Sequence, residues 1–351
     1  MEKVPVFAPR RTGWVTDMTG HLRISVCGTG RASPARRMTT TDLEQQRRLG
    51  TGRVVQATGV VSRYLCDTED QISLAVTACR AALDDAGLSA DQIDLLVFGA
   101  AVPYQPIPAT APLVMRRLAM ADGTAAAFDV NATCLSFITA FDLAARQIAT
   151  GVARRALVVS SEVASRALPW DDDPETAALF GDGAAAMVLG ASPPRAAACV
   201  AAMQMRSYPS AYEACTLGAG GTRFDYHKDP AGFAANSTFD MDGKALFRVT
   251  AQHFKGFVAD LLVRAGWRQS DVALVVPHQA SPAGLAHMIR LTGFAPRQVV
   301  DIAAEYGNQV AASIPFAYDL ARRDGRIAAG DKVLMLGTSA GVSFGGLALV
   351  A

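Results

Sequence analysis

The sequence predicts an α/β protein built from two duplicated β/α halves. Three observations carry that expectation. Apolar runs of Val, Leu and Ala alternate with helical stretches along most of the chain, the pattern of mainly parallel sheets covered by helices. A helix ending at Gly87 and followed by SADQIDLLVF is echoed by one ending at Gly266 and followed by RQSDVALVVP. The offset from Leu95 to Leu274 is 179 residues, and that from ALVV at 156 to VLML at 333 is 177, so two different elements repeat at nearly one spacing. The halves are placed at 21–192 and 193–351. Residues 1–20 mix Pro, Gly and charge without a period and are expected to be a loose extension.

In the first half LRISVCGTG (22–30) reads as a strand closing in a Gly turn, with the turn-rich RASPARR behind it. From Asp67 to Gly87 apolar residues recur at three and four, with Gly87 as the stop. IDLLVFGA (93–100) reads as a buried strand, 109–120 as a short helix and AAFDV (126–130) as a strand. An apolar helix over Cys134–Gly151 precedes strands at 154–162 and 184–191. In the second half a strand at 199–207 leads into a polar, Gly-rich loop or cap over 208–240. Helices are expected over 243–266, 281–292 and 310–323, and strands over 272–278, 299–305, 332–339 and 342–351.

Composition excludes several function classes. Among 351 residues, 33 basic and 32 acidic side chains leave a net charge of +1, and aromatics are 7%. There is neither a cationic excess for a phosphate backbone nor many platforms for base stacking, so nucleic acid is not expected as a partner. No apolar run reaches the roughly 18 residues of a membrane span, and the start MEKVPVFAPRRTGWVTD has no apolar core of a secretory signal. Six scattered cysteines without a CxxC pair fit a reducing, cytoplasmic setting better than a disulfide frame or a zinc site.

Three residues are candidates for chemistry. Cys134 follows the strand AFDV and the step NAT, and opens a helix. There the positive end of the helix dipole and unpaired N–H groups favour thiolate, at the rim of a sheet where α/β proteins place their sites. His278 in VVPHQAS and Asn308 in EYGNQVAASIP also stand just past strands. Taken singly, His278 reads as a half-buried imidazole and Asn308 as a helix cap. Together, one Cys, one His and one Asn at strand ends can converge on one pocket.

FDVNATCLSF, FGDGAAAMVLG, VPHQAS and YGNQVAASIP together resemble the signature segments of β-ketoacyl-acyl-carrier-protein synthase III, in the thiolase superfamily. The resemblance runs from about residue 23 to the end. It implies a thiolase-like five-layer αβαβα fold, a homodimer, and no metal or organic cofactor, with acyl-CoA or acyl-carrier-protein thioesters as substrates. It implies an acyltransferase, with Cys134 as acyl acceptor and His278 and Asn308 as donors that stabilise the enolate left when a malonyl thioester loses carbon dioxide. The N–H groups of Cys134 and Ala340 would hold the tetrahedral oxyanion. The acyl pocket would include Ile107, Leu135 and Phe247. Arg166, Lys244, Arg248 and Arg290 would face the thioester carrier, an acidic acyl carrier protein or coenzyme A. GDGAAA (181–186) reads as a tight turn in which Asp182 binds local backbone.

The chain departs from the family at several positions. Arg53 and Ala57 stand where acetyl-CoA-using members have a tryptophan and an arginine around the adenine, and Lys244 replaces an asparagine beside the pantetheine arm. The acyl donor is therefore expected to be a carrier protein, or CoA held differently. Ile107 replaces a phenylalanine that commonly closes the pocket from across the dimer, which would admit a longer or branched acyl group. Ala283 stands where a docking arginine is common, and Lys255 reads as a solvated side chain. The turn LGTSAG carries Thr338, Ser339 and Ala340 where thiolases have a second cysteine, which disfavours thiolase chemistry. The 208–240 region is longer than usual, with GAGGTRFDYHKDP expected as a cap near the entrance and Tyr212 to His227 as candidates to line the substrate tunnel.

The leading expectation is decarboxylative condensation, in fatty acid biosynthesis or a polyketide or other specialised pathway. The alternatives are non-condensing acyl transfer to a hydroxyl or amine, and a silent subunit that binds acyl chains.

Overall fold

The computed structural model describes residues 20–193 and 196–351. Apart from Gly20, the extension expected over 1–20 lies outside the described residues. The first half contains β1 (Ile24–Ala32), β2 (Arg36–Thr39), α1 (Thr40–Gln46), α2 (Arg53–Thr58), β3 (Ser62–Leu65), α3 (Gln71–Ala86), β4 (Leu95–Gly99) and α4 (Thr110–Arg117). It continues with β5 (Ala126–Val130), α5 (Ser136–Ala149), β6 (Arg155–Glu162), α6 (Pro174–Ala178) and β7 (Gly183–Ala191). The second half contains β8 (Cys199–Ser207), β9 (Cys215–Thr216), α7 (Pro230–Ala235), β10 (Asp240–Met241), α8 (Gly243–Ala265), β11 (Leu274–Pro277) and α9 (Pro282–Thr292). It closes with α10 (Ala303–Tyr306), α11 (Ser313–Arg323), β12 (Lys332–Ser339) and β13 (Ser343–Val350).

The strand order is β1-β7-β6-β4-β5 in one sheet and β8-β13-β12-β11 in the other, where Val299 adds a single parallel bridge beside Val275. Counted within each half, both read first-fifth-fourth-second-third. The duplication seen in the sequence echo is thus a duplication of topology. The sheets are mixed and not mainly parallel as expected, because β7 and β13 return antiparallel to β6 and β12.

Five layers follow from the period-two alternation of the buried strands. Leu95, Val97, Leu274, Val276, Val333 and Met335 face a central core that also holds α5 and α11. Leu96 and Phe98 face the opposite way, onto α3 and α4. Val275, Leu334 and Leu336 face α8 and α9. The arrangement is the αβαβα stack that the resemblance implied.

Two local expectations are corrected, and a third is filled in. β1 does not close at its glycines but runs on to Ala32, since Gly28 and Gly30 are packing positions against α3. A Cβ on Gly28 would stand 2.6 Å from Ala86 N, and one on Gly30 2.7 Å from Ala81 Cβ. The strand expected over 299–305 shrinks to the bridge at Val299, because Asp301 ends the apolar run and α10 begins at Ala303. The 208–240 cap contains α7 and the two-residue ribbon of β9 with β10. Elsewhere Asp182 binds backbone as expected, accepting from Cys66 N at 2.8 Å and Ser165 N at 3.0 Å.

Candidate active site

Cys134 does not open the α-helix directly. It sits in a 3-10 turn, Thr133–Leu135, between β5 and the start of α5 at Ser136. Thr133 has the left-handed φ of 51°, Asn131 Oδ1 accepts from Thr133 N at 2.9 Å, and Ser136 Oγ accepts from Ala132 N at 2.9 Å. The second half repeats this device. Val310–Ala312 is a 3-10 turn before α11, Val310 has φ 50°, Asn308 Oδ1 accepts from Val310 N at 2.8 Å, and Ser313 Oγ accepts from Gln309 N at 3.1 Å. NATCLS and NQVAAS are therefore structural counterparts, with Asn131 matching Asn308 and Cys134 matching Ala311.

Because Asn308 Oδ1 is engaged by Val310 N, the amide nitrogen is the atom left to donate. His278 stands one residue past β11, its backbone N–H donating to Leu336 O at 2.7 Å. Cys134, His278, Asn308, Ala340, Arg166 and Phe247 all line one cavity of about 910 Å³. Of the lining, the N-terminal half supplies Gln71, residues 101–106 and Glu162, while the cap and C-terminal half supply residues such as Leu217, Phe239, Gly284 and His287.

The electrostatics of the resting site differ from the expectation that Cys134 is a ready thiolate. Burial, then the neighbouring Glu162 carboxylate and Cys215, push its thiol up to about 12. The N–H groups of Ala340 and of Cys134 itself favour the charged form, but burial outweighs them. Burial pushes His278 down to about 4, against the contact with the Val310 backbone. Cysteine and histidine are therefore both neutral at pH 7. A neutral imidazole keeps one N–H to donate.

Other expected positions are not in the cavity. Leu135 is fully buried in the core, because the 3-10 turn rotates it away from Cys134 and into a notch formed by Gly337 and Gly345. A Cβ on Gly337 would come within 2.9 Å of Leu135 Cδ2. Ile107 does not reach the cavity of its own chain and is 87% exposed on the loop after β4. Lys244 and Arg248 on α8 and Arg290 on α9 are exposed and do not line the cavity; among the described residues none forms an ion pair. Arg166 lines the cavity and donates to Glu69 O at 3.3 Å, while Arg53 is paired with Glu175 at 2.8 Å.

Glu162, Gln71 and Cys215 were missed by the sequence reading. Glu162 ends the buried run RALVVSSE, so the polar terminus of an apolar strand, the same signal that marked His278, was available for it. Cys215 lies in the cap, where no periodicity assigns a direction to a side chain.

Comparison with known proteins bears on this geometry. The family model described as 3-Oxoacyl-[acyl-carrier-protein (ACP)] synthase III matches residues 128–209, and that for its C terminal part matches 262–351. A β-ketoacyl-[acyl-carrier-protein] synthase III of Streptomyces coelicolor is 35% identical over 323 residues, covering 92% of this chain and 95% of the relative. The enzyme of that name from Sinorhizobium medicae is 35% identical over 336 residues, covering 93% and 99%. The crystal structure of 3-oxoacyl-(acyl carrier protein) synthase III from Pseudomonas aeruginosa superposes with a TM-score of 0.83 at 32% identity, covering 93% of this chain and 98% of that one.

Proposed function

The chain belongs to the 3-oxoacyl-[acyl-carrier-protein] synthase III family, and from that premise we propose how its own residues carry out decarboxylative condensation of an acyl thioester with malonyl carrier protein. The observation that carries the reading is the convergence of Cys134, His278, Asn308 and the Ala340 N–H on one cavity from separate elements, Cys134, His278 and Ala340 just past strands and Asn308 after α10. The acyl thioester transfers its acyl group to Cys134 Sγ, releasing the donor thiol and giving an acyl-cysteine. A malonyl thioester then loses carbon dioxide, and charge grows on its thioester oxygen. His278 N–H and Asn308 Nδ2 donate to that oxygen, both as neutral groups whose strength is raised by burial. The enolate carbon attacks the acyl carbonyl, the N–H groups of Cys134 and Ala340 hold the oxyanion, and its collapse frees the Cys134 sulfur and the β-keto thioester. No metal or organic cofactor enters these steps.

Several finer readings go with this one. Lys244, Arg248 and Arg290, without an ion-pair partner among the described residues, form a basic set on α8 and α9 suited to an acidic acyl carrier protein. The pairing of Arg53 with Glu175 favours a carrier protein over coenzyme A as primer donor. The cavity lies near the upper end of the roughly 300–1,000 Å³ usual for small-molecule sites, which supports a primer longer than acetyl or branched. β5 is an edge strand and Ile107 projects from a nearby loop, which supports a homodimer in which that loop completes the partner's pocket. No helix among the described residues is long and apolar enough to cross a membrane, and we place the protein in the cytoplasm, serving fatty acid or specialised acyl-chain biosynthesis.

Labelled malonyl carrier protein and a panel of acyl thioesters test the reading. Carbon dioxide release with a β-keto product is expected. An acyl-Cys134 without decarboxylation would favour the non-condensing alternative, which the presence of Asn308 disfavours. No adduct would overturn both.

A further inference from the structure

A buried acid beside the nucleophile has no place in the steps above. Glu162 ends β6, is 3% exposed, lines the same cavity as Cys134, and has no cation paired with it among the described residues. Its Oε1 accepts from Ala101 N at 2.7 Å, and the N–H groups of Val102 and Ala311 also favour its charge. Those donors come from both halves of the molecule. Ala101 and Val102 begin the loop that lines the cavity as far as Pro106, and Ala311 is the counterpart of Cys134 in the duplicated turn that also holds Asn308. Gln71 secures the same junction, donating from Nε2 to Val102 O at 2.9 Å and to Ser161 O at 2.8 Å. A single carboxyl therefore joins the 101–106 loop, the Asn308 turn and the wall next to Cys134.

We propose that Glu162 is a positioning residue whose proton sets the reactivity of Cys134: neutral, it lets negative charge form on the sulfur, and ionised, it opposes that charge while tightening its backbone anchors. The groups around it leave this role to Glu162. Cys134 and Cys215 are neutral thiols, His278 is neutral, Tyr104 on the 101–106 loop and Arg166 beyond β6 are exposed, and Asp182 next to β7 only disfavours a second negative charge. Desolvation holds the Glu162 carboxyl up to about 8, within reach of ordinary pH change. The catalytic significance rests on Cys134 being the acyl acceptor, but the thiol's reactivity can be read without any condensation.

The test is the rate of Cys134 alkylation by iodoacetamide against pH, followed by peptide mass in the full-length protein. In the parent, the rate is expected to climb with pH and then flatten around pH 8 as Glu162 ionises. Glu162→Gln keeps an oxygen for Ala101 N and removes the charge, so it should abolish the break and speed alkylation about threefold at roughly pH 8.5, approaching the tenfold equivalent of one pK unit only by about pH 9.5. A parent profile with a single proton and no break overturns the proposal, whatever the variant does. So does a folded Glu162→Gln protein whose profile superimposes on the parent's or lies below it. A shifted alkylation profile without any β-keto product would keep the assignment for Glu162 while rejecting the condensation reading.

Discussion

Cys134→Ala should abolish the acyl adduct seen as a mass increase of the intact protein; survival of that adduct would remove Cys134 from the mechanism. His278→Ala and Asn308→Ala each remove one donor from the enolate oxygen. Each is expected to slow decarboxylation by about 10²–10³-fold while affecting acylation less, as read by carbon dioxide release against adduct formation. The buried histidine also has a stability signature. Its folded value near 4 lies below the ordinary 6.5, so between those values the unfolded chain takes up a proton that the folded chain refuses. Its contribution is complete above about pH 6.5 and falls away as the pH drops towards 4, by up to about 3 kcal/mol. A His278→Gln protein should show a flatter dependence of urea midpoint on pH in that window. Cys134 and His278 were legible because each stands just beyond an apolar strand in an otherwise weakly charged sequence, and Asn308 because it closes an apolar run, although that run ends in α10 rather than a strand. The ionisation of Cys134 was not legible, since a helix start is visible in sequence but the depth of the pocket and the presence of Glu162 are products of tertiary packing.

Glycines decide how closely elements approach, and they separate two outcomes of one substitution. Gly28→Ala would force β1 from α3, because the added carbon meets backbone that belongs to the helix. It should lower stability by about 1–3 kcal/mol in denaturant titration. Gly256→Ala lies on an exposed turn of α8 with nothing within 4 Å of the new carbon, and should raise stability by about 1 kcal/mol through helix propensity alone. The sequence could show that 22–30 was a strand with glycines, but not that they faced a helix, since that depends on which element covers the sheet. Helices α3 and α8 were legible from their spacing and their Gly87 and Gly266 stops. The stretch 299–305 misled because Val-Val followed by Ile and Ala has strand composition, whereas only Val299 finds a partner strand. Leu135, expected in the pocket, is instead turned away from Cys134 by the 3-10 turn and buried in the core.

The proposed homodimer is tested at the scale of the whole molecule. Ala126→Asp places a charge at the exposed position of the open edge strand β5 and is expected to shift the protein to monomer in sedimentation, with loss of condensing activity if Ile107 completes the neighbouring pocket. A monomer that keeps full activity would contradict that use of the loop. The duplication was legible from two offsets, whereas the twin turns at NATCLS and NQVAAS escaped notice because they share only two aligned residues, the asparagine and the serine. Those twins have a consequence for how the activity could be inherited. The scaffold offers the same two addresses in each half: a turn centre, filled by Cys134 in one and Ala311 in the other, and an asparagine before it. At the first address one copy took the sulfur and the other kept a bare methyl; at the second, Asn131 spends its amide on Ala101 O at 2.9 Å while Asn308 keeps its own for a visitor. Division of labour between the copies thus needed no new backbone, only a change of tenant at positions that the fold had already drawn twice.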